Sequence, residues 1–527
     1  MGATRMDAAI RHVVVVGGGT AGWLTASLIA ARCGAGAGAI TVTLVESPEI
    51  PTVGVGEGTW PTMRKTLEQI GLDEADFLIA CDASFKQGSR FDGWVTGAPG
   101  DSYLHPFAPP VAGSADDLLA AWRHVAGDRP FAHAVSAQAG VCALDLAPKQ
   151  RSMSGYAGAL NYGYHLDAVK LAALLARHAT TVLGVRYIRD HVTGIDSSDA
   201  GDIASVRTRA NGAVTGDLFI DCTGHASMLL GDHFGVPFLD RGDVLFNDRA
   251  LAVQVPVAAP DSPIASQTIS TAHEAGWIWD IGLPTRRGVG CVYSSRHASD
   301  EQAALTLEAH VRATSPHVDP KALAYRQLSF RSGHRARFWE RNCLAIGLSA
   351  GFLEPLEASA IVLVEMSIEA LLANFPANRG VMDIQARRFN ALFAYRWQRI
   401  IDFLKLHYVL SHRQQPYWQD HRAPGSIPER LRDLLEVWRY QAPSQADLPA
   451  AEEVFPAASY QYILYGVGYG TSARRTMAPA GQSDVRKQIG LVEQRLRTLA
   501  SGLPTNRALI EALKADRQAL ALMGKNG

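Results

Sequence analysis

At 527 residues the chain is several times longer than an ordinary domain, and with 47% hydrophobic and 19% charged side chains it can bury a large core. Its 50 basic and 51 acidic residues leave a formal net charge of −1, which argues against a nucleic-acid partner; the pairs Arg387-Arg388 and Arg474-Arg475 are short enough to be solvated faces. Six scattered cysteines with no C-x-x-C pair argue against a zinc site or a disulfide framework, and no uncharged apolar run reaches the roughly 20 residues of a membrane span, so a soluble, cytoplasmic protein is expected.

From Arg11 to Ser47 the order is an apolar run, a glycine cluster, an alanine- and leucine-rich stretch, and a β-branched run at Ile40 to Val45. This reads as strand, turn, helix, strand. The apolar run Val13 to Val16 is too short for a signal peptide. Gly17-Gly18-Gly19-Thr20-Ala21-Gly22 sits between strand and helix, where G-x-G-x-x-G has its dinucleotide-binding meaning. Gly17, Gly19, Thr20, Ala21 and Gly22 let backbone approach a pyrophosphate at a helix start, whose unpaired N–H groups favour phosphate. Glu46, 24 residues past Gly22, ends the second strand where a carboxylate can accept from ribose hydroxyls.

Ile203 to Thr208 and Leu218 to Ile220 read as further short strands, the latter ending at Asp221-Cys222-Thr223-Gly224. Thr268 to Ser294 alternates apolar residues with glycines and reads as antiparallel sheet. Beyond Glu357 the period becomes helical. Ile361 to Leu371 is the longest apolar stretch and is broken by Glu365 and Glu369. Phe389, Leu392, Phe393, Trp397, Ile400, Ile401 and Leu404 share one helical face, as do Val485, Ile489, Val492, Leu496 and Leu499 between an N-cap at Ser483 and a stop at Gly502 and Pro504. Gln414 to Phe455, punctuated by Pro and Gly, is expected to hold substrate loops or connecting surface. The expected division is a module of residues 1–375, with interleaved sheet and substrate segments, and a mainly helical region 376–527 that completes the substrate pocket.

The glycine motif does not choose NAD over FAD. Asp217 to Gly224 resembles the later strand and turn of FAD-dependent monooxygenase-type folds, which implies FAD on a Rossmann-like α/β fold. The sequence has no second G-x-G-x-x-G for an NAD(P)H domain of the glutathione reductase kind.

Three further stretches resemble the flavin-dependent halogenases of the tryptophan halogenase type. They are Phe85-Lys86-Gln87-Gly88-Ser89-Arg90-Phe91, Gly276-Trp277-Ile278-Trp279-Asp280-Ile281-Gly282, and Gly347 to Ile361 with its Phe352-Leu353-Glu354-Pro355-Leu356-Glu357-Ala358-Ser359. The stretch from Gly276 to Gly282 is similar to the family's W-x-W-x-I-P signature with Gly282 in place of proline, and Trp277, Trp279 and Ile281 alternate on one strand face. The resemblance implies an enzyme that uses reduced FAD, oxygen and chloride or bromide to make hypohalous acid, which Lys86 guides to an electron-rich aromatic ring. A lysine can hydrogen-bond that acid or be halogenated as the free amine, a form favoured by burial. A carboxylate beside the ring stabilises the positive charge of electrophilic attack; Glu357 is the residue implied, with Glu354 as its competitor.

By the same resemblance, the backbone N–H groups of Ser359 and Ala360 bind the halide, Ala360 standing where the family often has glycine. Leu348, Ile361 and Val192 are implied against the flavin. His105-Pro106-Phe107 resembles an H-x-F element that contacts indole, and Glu452 to Ala457 keeps an aromatic at Phe455 but has Pro456 where tryptophan-using members have Trp. With no paired tyrosines before it, the stretch points to indole, a substituted indole or another electron-rich aromatic rather than free tryptophan. The implied partners are this substrate and a separate NAD(P)H-dependent flavin reductase, with a homodimer as the default assembly. Two other readings stay open at this point: an aromatic hydroxylase whose flavin NAD(P)H reduces directly, and a flavin-binding protein without catalysis.

Overall fold

The computed structural model describes residues 9–36, 38–50, 56–472 and 479–523; Arg387 and Arg388 are exposed, and Arg474-Arg475 lies outside the described residues. The chain divides into two compact units. One comprises the segments up to Cys81, Leu166–Arg241 and Arg331–Trp397; the other comprises Asp82–His165, Gly242–Phe330 and the chain from Gln398 onward. This differs from the expected single division after residue 375. Each unit builds its sheet from strands far apart in sequence, so no one cut separates them.

The first unit carries a six-stranded sheet in the order Trp339–Glu340, Cys343–Ala345, Leu218–Asp221, His12–Val16, Thr41–Glu46, Arg186–Arg189. All neighbours are parallel except the Trp339–Glu340 edge. Val13 to Val16 are at most 2% exposed, as a continuous apolar run requires when both faces of a parallel sheet are covered. Helix Thr20–Cys33 connects the first two strands and buries Trp23, Leu24, Leu28 and Ile29. Helix Ser359–Ala373 packs on it, with Arg32 and Glu369 paired at 2.8 Å. Val192–Ser197, Ile203–Thr208 and Gly212–Thr215 form a separate antiparallel meander.

The second unit is built on a seven-stranded sheet in the order Arg326–Ser329, Arg249–Pro256, Arg286–Tyr293, Gly276–Gly282, Thr268–His273, Gly88–Asp92, Ser102–Pro106. One face is sealed by helix Asp300–Thr314, where Ala303, Leu307 and Val311 meet Ile278, Val289 and Cys291. Trp277 and Trp279 therefore point to the other face, as their alternation predicts. A short strand, Ser84–Lys86, pairs antiparallel with residues 163–165.

The C-terminal third is mainly helical, as expected. The apolar face from Phe389 to Leu404 lies on one long helix, Arg379–Val409. Within its second-unit portion Lys405 is fully buried and donates to the Val244 carbonyl (3.0 Å), His421 Nδ1 (2.8 Å) and Ser426 Oγ (3.1 Å), tying the helix to the Val244 loop, to helix Pro416–Arg422 and to the turn Pro424–Ser426. Burial and this ammonium hold His421 well below the usual imidazole value. Two expectations need correction. The helix predicted from Ser483 spans Pro479–Gly502 among the described residues, so Ser483 lies inside it rather than at its cap. The Gln414–Phe455 stretch holds helices Pro416–Arg422 and Glu429–Trp438, with Pro416 opening the first and Pro428 just before the second. Among the described residues no helix is long and apolar enough to cross a membrane, and no group of three or more His, Cys, Asp or Glu side chains could hold a metal ion.

Candidate active site

In the first unit the glycine loop is shaped by contact. Gly17 has φ +113°, and a Cβ there would strike the Cys222 carbonyl; one on Gly22 would strike the Gly17 carbonyl. Gly18 lies against the Glu46 carboxylate, whereas a Cβ on Gly19 would meet nothing within 4 Å. The loop thus presses on the Asp221–Gly224 turn behind it and is open at Gly19, the N-cap of helix Thr20–Cys33. This arrangement fits a dinucleotide: the pyrophosphate at the open helix start and a ribose at Glu46.

The turn behind the loop is fixed by Asp221, which is fully buried and accepts from the N–H groups of Thr223 (3.0 Å), Leu229 (2.9 Å) and Leu230 (2.9 Å). The Ser349 hydroxyl bonds the Asp221 carbonyl, and Gly347 sits against Ala21, so the turn at Gly347–Ser349 joins the cradle with Leu348 half-buried between them. Val192 begins the strand two residues after Asp190, whose N–H donates to the Glu46 carbonyl (2.9 Å). Glu46 also accepts from the Tyr187 hydroxyl at 2.7 Å, which raises the Tyr187 pKa to about 12 after the larger effect of burial. Tyr187 was missed as a site residue because its partner Glu46 lies 141 residues away in sequence.

Beyond strand Gly351–Phe352, Glu354 is 0% and Glu357 3% exposed, so burial does not choose between them. Ala358 is left-handed (φ 54°) and turns the chain into helix Ser359–Ala373. The turn is secured by the Trp60 indole N–H, which donates to the Glu357 carbonyl at 2.8 Å, and by the Ala358 N–H to the Pro355 carbonyl at 3.0 Å. The helix start has no side-chain cap and no acidic residue in its first turn, which leaves the N–H groups of Ser359 and Ala360 suited to an anion. Ile361 follows, 6% exposed. Farther along the helix, Glu365 accepts from the Thr62 hydroxyl at 2.8 Å and from the Thr66 hydroxyl, and burial pushes its pKa up to about 7. Its side chain, in sequence only an interruption of an apolar run, is a buried polar group of this region.

The second unit holds the other predicted residues. Lys86 is 1% exposed, with its ammonium 5.5 Å from the centroid of the half-buried Phe107 ring. Across the strand pair, His165 is fully buried, bonded to Thr268 Oγ1 at 2.8 Å and held well below the usual imidazole value by burial and then by Lys86. His105, two residues before Phe107, bonds Ser459 Oγ at 3.0 Å and lies 5.8 Å from Phe403. Phe455 stacks on that same Phe403 at 3.7 Å and is 1% exposed, while Pro456 opens helix Ala457–Gly466. Trp277 is fully buried near Trp94, and the Trp279 indole fills the space above Gly290, where any Cβ would collide with it. Gly282 keeps the strand going: it pairs with Arg287, its carbonyl accepts from Ser84 Oγ at 2.6 Å, and Ile264 and Ala265 crowd the place a side chain would take.

Residues 12–482 match the tryptophan halogenase family model. A solved structure described as a tryptophan halogenase from Shewanella frigidimarina is 48% identical, with a TM-score of 0.93 over 97% of this chain and 98% of that one. The tryptophan 6-halogenase SttH of Streptomyces toxytricini is 33% identical over 95% of this chain and 98% of its own length. The tryptophan C-6 flavin-dependent chlorinase of taromycin biosynthesis is 32% identical, with a TM-score of 0.88 over 96% of this chain and all of that one. With the flavin cradle, the uncapped helix start and the tryptophan strand in place, the chain belongs to the tryptophan halogenase family and is a flavin-dependent halogenase.

Proposed function

We propose that the protein is an FAD-dependent halogenase that places chloride or bromide on indole or a substituted indole, with Lys86 and Glu357 as catalytic residues. The observation that carries this reading is Lys86, a lysine buried to 1% exposure with its ammonium over the Phe107 ring. When bound, reduced flavin would supply the two electrons that activate oxygen, which then oxidises the halide to hypohalous acid with its second oxygen atom leaving as water. Lys86 holds that oxidant by hydrogen bonding or transient halogenation, and Phe107 offers a face on which an indole can stack. His105 borders the same place. Phe455, with one face taken by Phe403, contributes from behind as packing.

Gly17, Gly19, Thr20, Ala21 and Gly22 hold the pyrophosphate, Glu46 a ribose, and Val192, Leu348 and Ile361 the rest of FAD. The N–H groups of Ser359 and Ala360 hold the halide. Glu357 balances the positive charge that develops on the ring. Trp277 and Trp279 keep aromatic substrate from the flavin. The chain's single G-x-G-x-x-G supports reduction of the flavin by a separate NAD(P)H-dependent reductase.

The test is mass spectrometry of products from the purified protein with a flavin reductase, FAD, NADH and chloride or bromide, offered indole, tryptophan and phenols. A halogen isotope pattern on indole, absent for Lys86→Ala with FAD binding retained, is the expected result. Full halogenation by Lys86→Ala would overturn the lysine's role, and oxygenated products alone would overturn the reaction class. Glu357→Gln should slow product formation by roughly ten- to a thousandfold; near-normal turnover would move the role to Glu354.

A further inference from the structure

The backbone that carries Lys86 is held on both flanks by buried side-chain amides. On one flank Asn506, fully buried at the start of helix Asn506–Met523, accepts from the Phe85 N–H (3.2 Å) and donates Nδ2 to the Phe85 carbonyl (2.9 Å). On the other, Gln87 is fully buried and donates Nε2 to the Leu146 carbonyl (2.7 Å), while its Oε1 accepts from Gln138 Nε2 (3.2 Å). Gln138, also fully buried, accepts the Ala108 N–H at 2.5 Å, and the Gln87 carbonyl accepts the Phe107 N–H at 2.9 Å. Asn506 therefore clasps the residue before Lys86, while the paired amides of Gln87 and Gln138, with the Gln87 carbonyl, secure the residue after it and the N–H groups of Phe107 and Ala108.

The chemistry of these groups matters as much as their placement. A carboxamide donates and accepts at once, so it can clasp a peptide unit on both sides without a charge. Its nitrogen is not basic, so beside an electrophilic halogen it leaves Lys86 as the reactive amine of this strand. Satisfied polar networks in a low-dielectric interior fix geometry more tightly than apolar packing does.

We propose that Asn506, Gln87 and Gln138 are positioning residues that fix Lys86 relative to Phe107 and so set how much of the oxidised halogen reaches substrate instead of escaping. This rests on the reading of Lys86 given above. The experiment compares full-length, FAD-loaded wild type, Asn506→Ala, Gln138→Met and Leu509→Ala. Leu509 is 1% exposed on the same helix, so its truncation destabilises without touching the amides. Three quantities are read: flavin reoxidation rate, halogenated indole formed per flavin oxidised, and free hypohalous acid captured by a soluble halogen trap.

For Asn506→Ala and Gln138→Met, product per flavin should fall about tenfold or more while reoxidation is unchanged and trapped oxidant rises. Leu509→Ala should remain coupled. If Asn506→Ala does not fold, Gln138→Met decides alone. Full coupling in the amide variants, or equal uncoupling in Leu509→Ala, would overturn the proposal. Lys86→Ala separates the two readings: if it still halogenates, the lysine's role fails; if it is inactive while the amide variants stay coupled, only the positioning role fails.

Discussion

The indole N–H of Trp60 donates a 2.8 Å hydrogen bond to the carbonyl of Glu357, 297 residues further along the chain. It holds the last peptide before the left-handed Ala358 and so the start of the helix proposed to bind halide. Trp60→Phe keeps an aromatic ring but removes the donor, which should cost about 1 kcal/mol of stability. Felt in full as a looser helix start, that loss raises the KM for halide about fivefold with FAD affinity unchanged. Steady-state rates against chloride concentration, with a flavin-binding titration, check this. An unchanged halide KM would limit Trp60 to a structural role.

Ala358 adopts φ 54° and ψ 44°, a conformation that costs an L-residue roughly 1–2 kcal/mol. Ala358→Gly relieves this strain but frees the unfolded chain, so a net gain of at most about 1 kcal/mol is expected. Ala358→Val, with a β-branched side chain in the same conformation, should lose stability. Urea titrations of both variants measure the order directly; a less stable glycine variant would contradict it.

Glu365 makes stability depend on pH. Burial raises its folded-state pKa from 4.5 to about 7, above that of the unfolded chain. The folded state therefore holds its proton more tightly, and the contribution is complete below about pH 4.5 and withdrawn as pH rises through about 7. Glu365→Gln, which stays uncharged and can still bond Thr62 and Thr66, should be more stable than wild type above pH 7, by about 3 kcal/mol at most. Burial also raises Glu57 to about 7, so the variant should flatten only part of the slope between pH 5 and 8. Chemical denaturation across that range tests it, and parallel curves for the two proteins would refute the assignment.

The glycines of the nucleotide loop should divide by what surrounds them. Gly19→Ala adds a methyl group to open space, so the FAD-free protein should keep its stability within about 0.5 kcal/mol while FAD affinity falls. Gly22→Ala drives a methyl group into the Gly17 carbonyl and should lose both stability and FAD. Thermal melts with and without FAD distinguish the two, and equal behaviour would mean that the open side of Gly19 does not face the pyrophosphate.

The local signals in the sequence were readable because each depends on near neighbours. The valine run, the glycines and Glu46 lie within one strand-helix-strand unit, and Trp277 and Trp279 needed only the two-residue period of a strand. What sequence could not show were pairings with no spacing rule. The amide of Asn506 meets Phe85 421 residues earlier, and the Tyr187 hydroxyl meets Glu46 across 141. Nothing in Phe455 itself announces that one face is taken by Phe403.

The parallel sheet of the first unit has a consequence for how the protein is made. His12–Val16 must pair with Leu218–Asp221, which in turn needs Cys343–Ala345 on its far side. As the nascent chain leaves the ribosome, the glycine loop emerges more than 300 residues ahead of the last parallel strand, so its sheet stays incomplete until residue 345 has followed. At ordinary translation speeds that interval lasts on the order of 15–60 s, during which apolar strand edges are exposed to chaperones or to neighbouring chains. Expression that slows initiation or supplies chaperones should therefore favour soluble enzyme, and fragments ending between Asp221 and Cys343 should be more prone to aggregate than their length suggests.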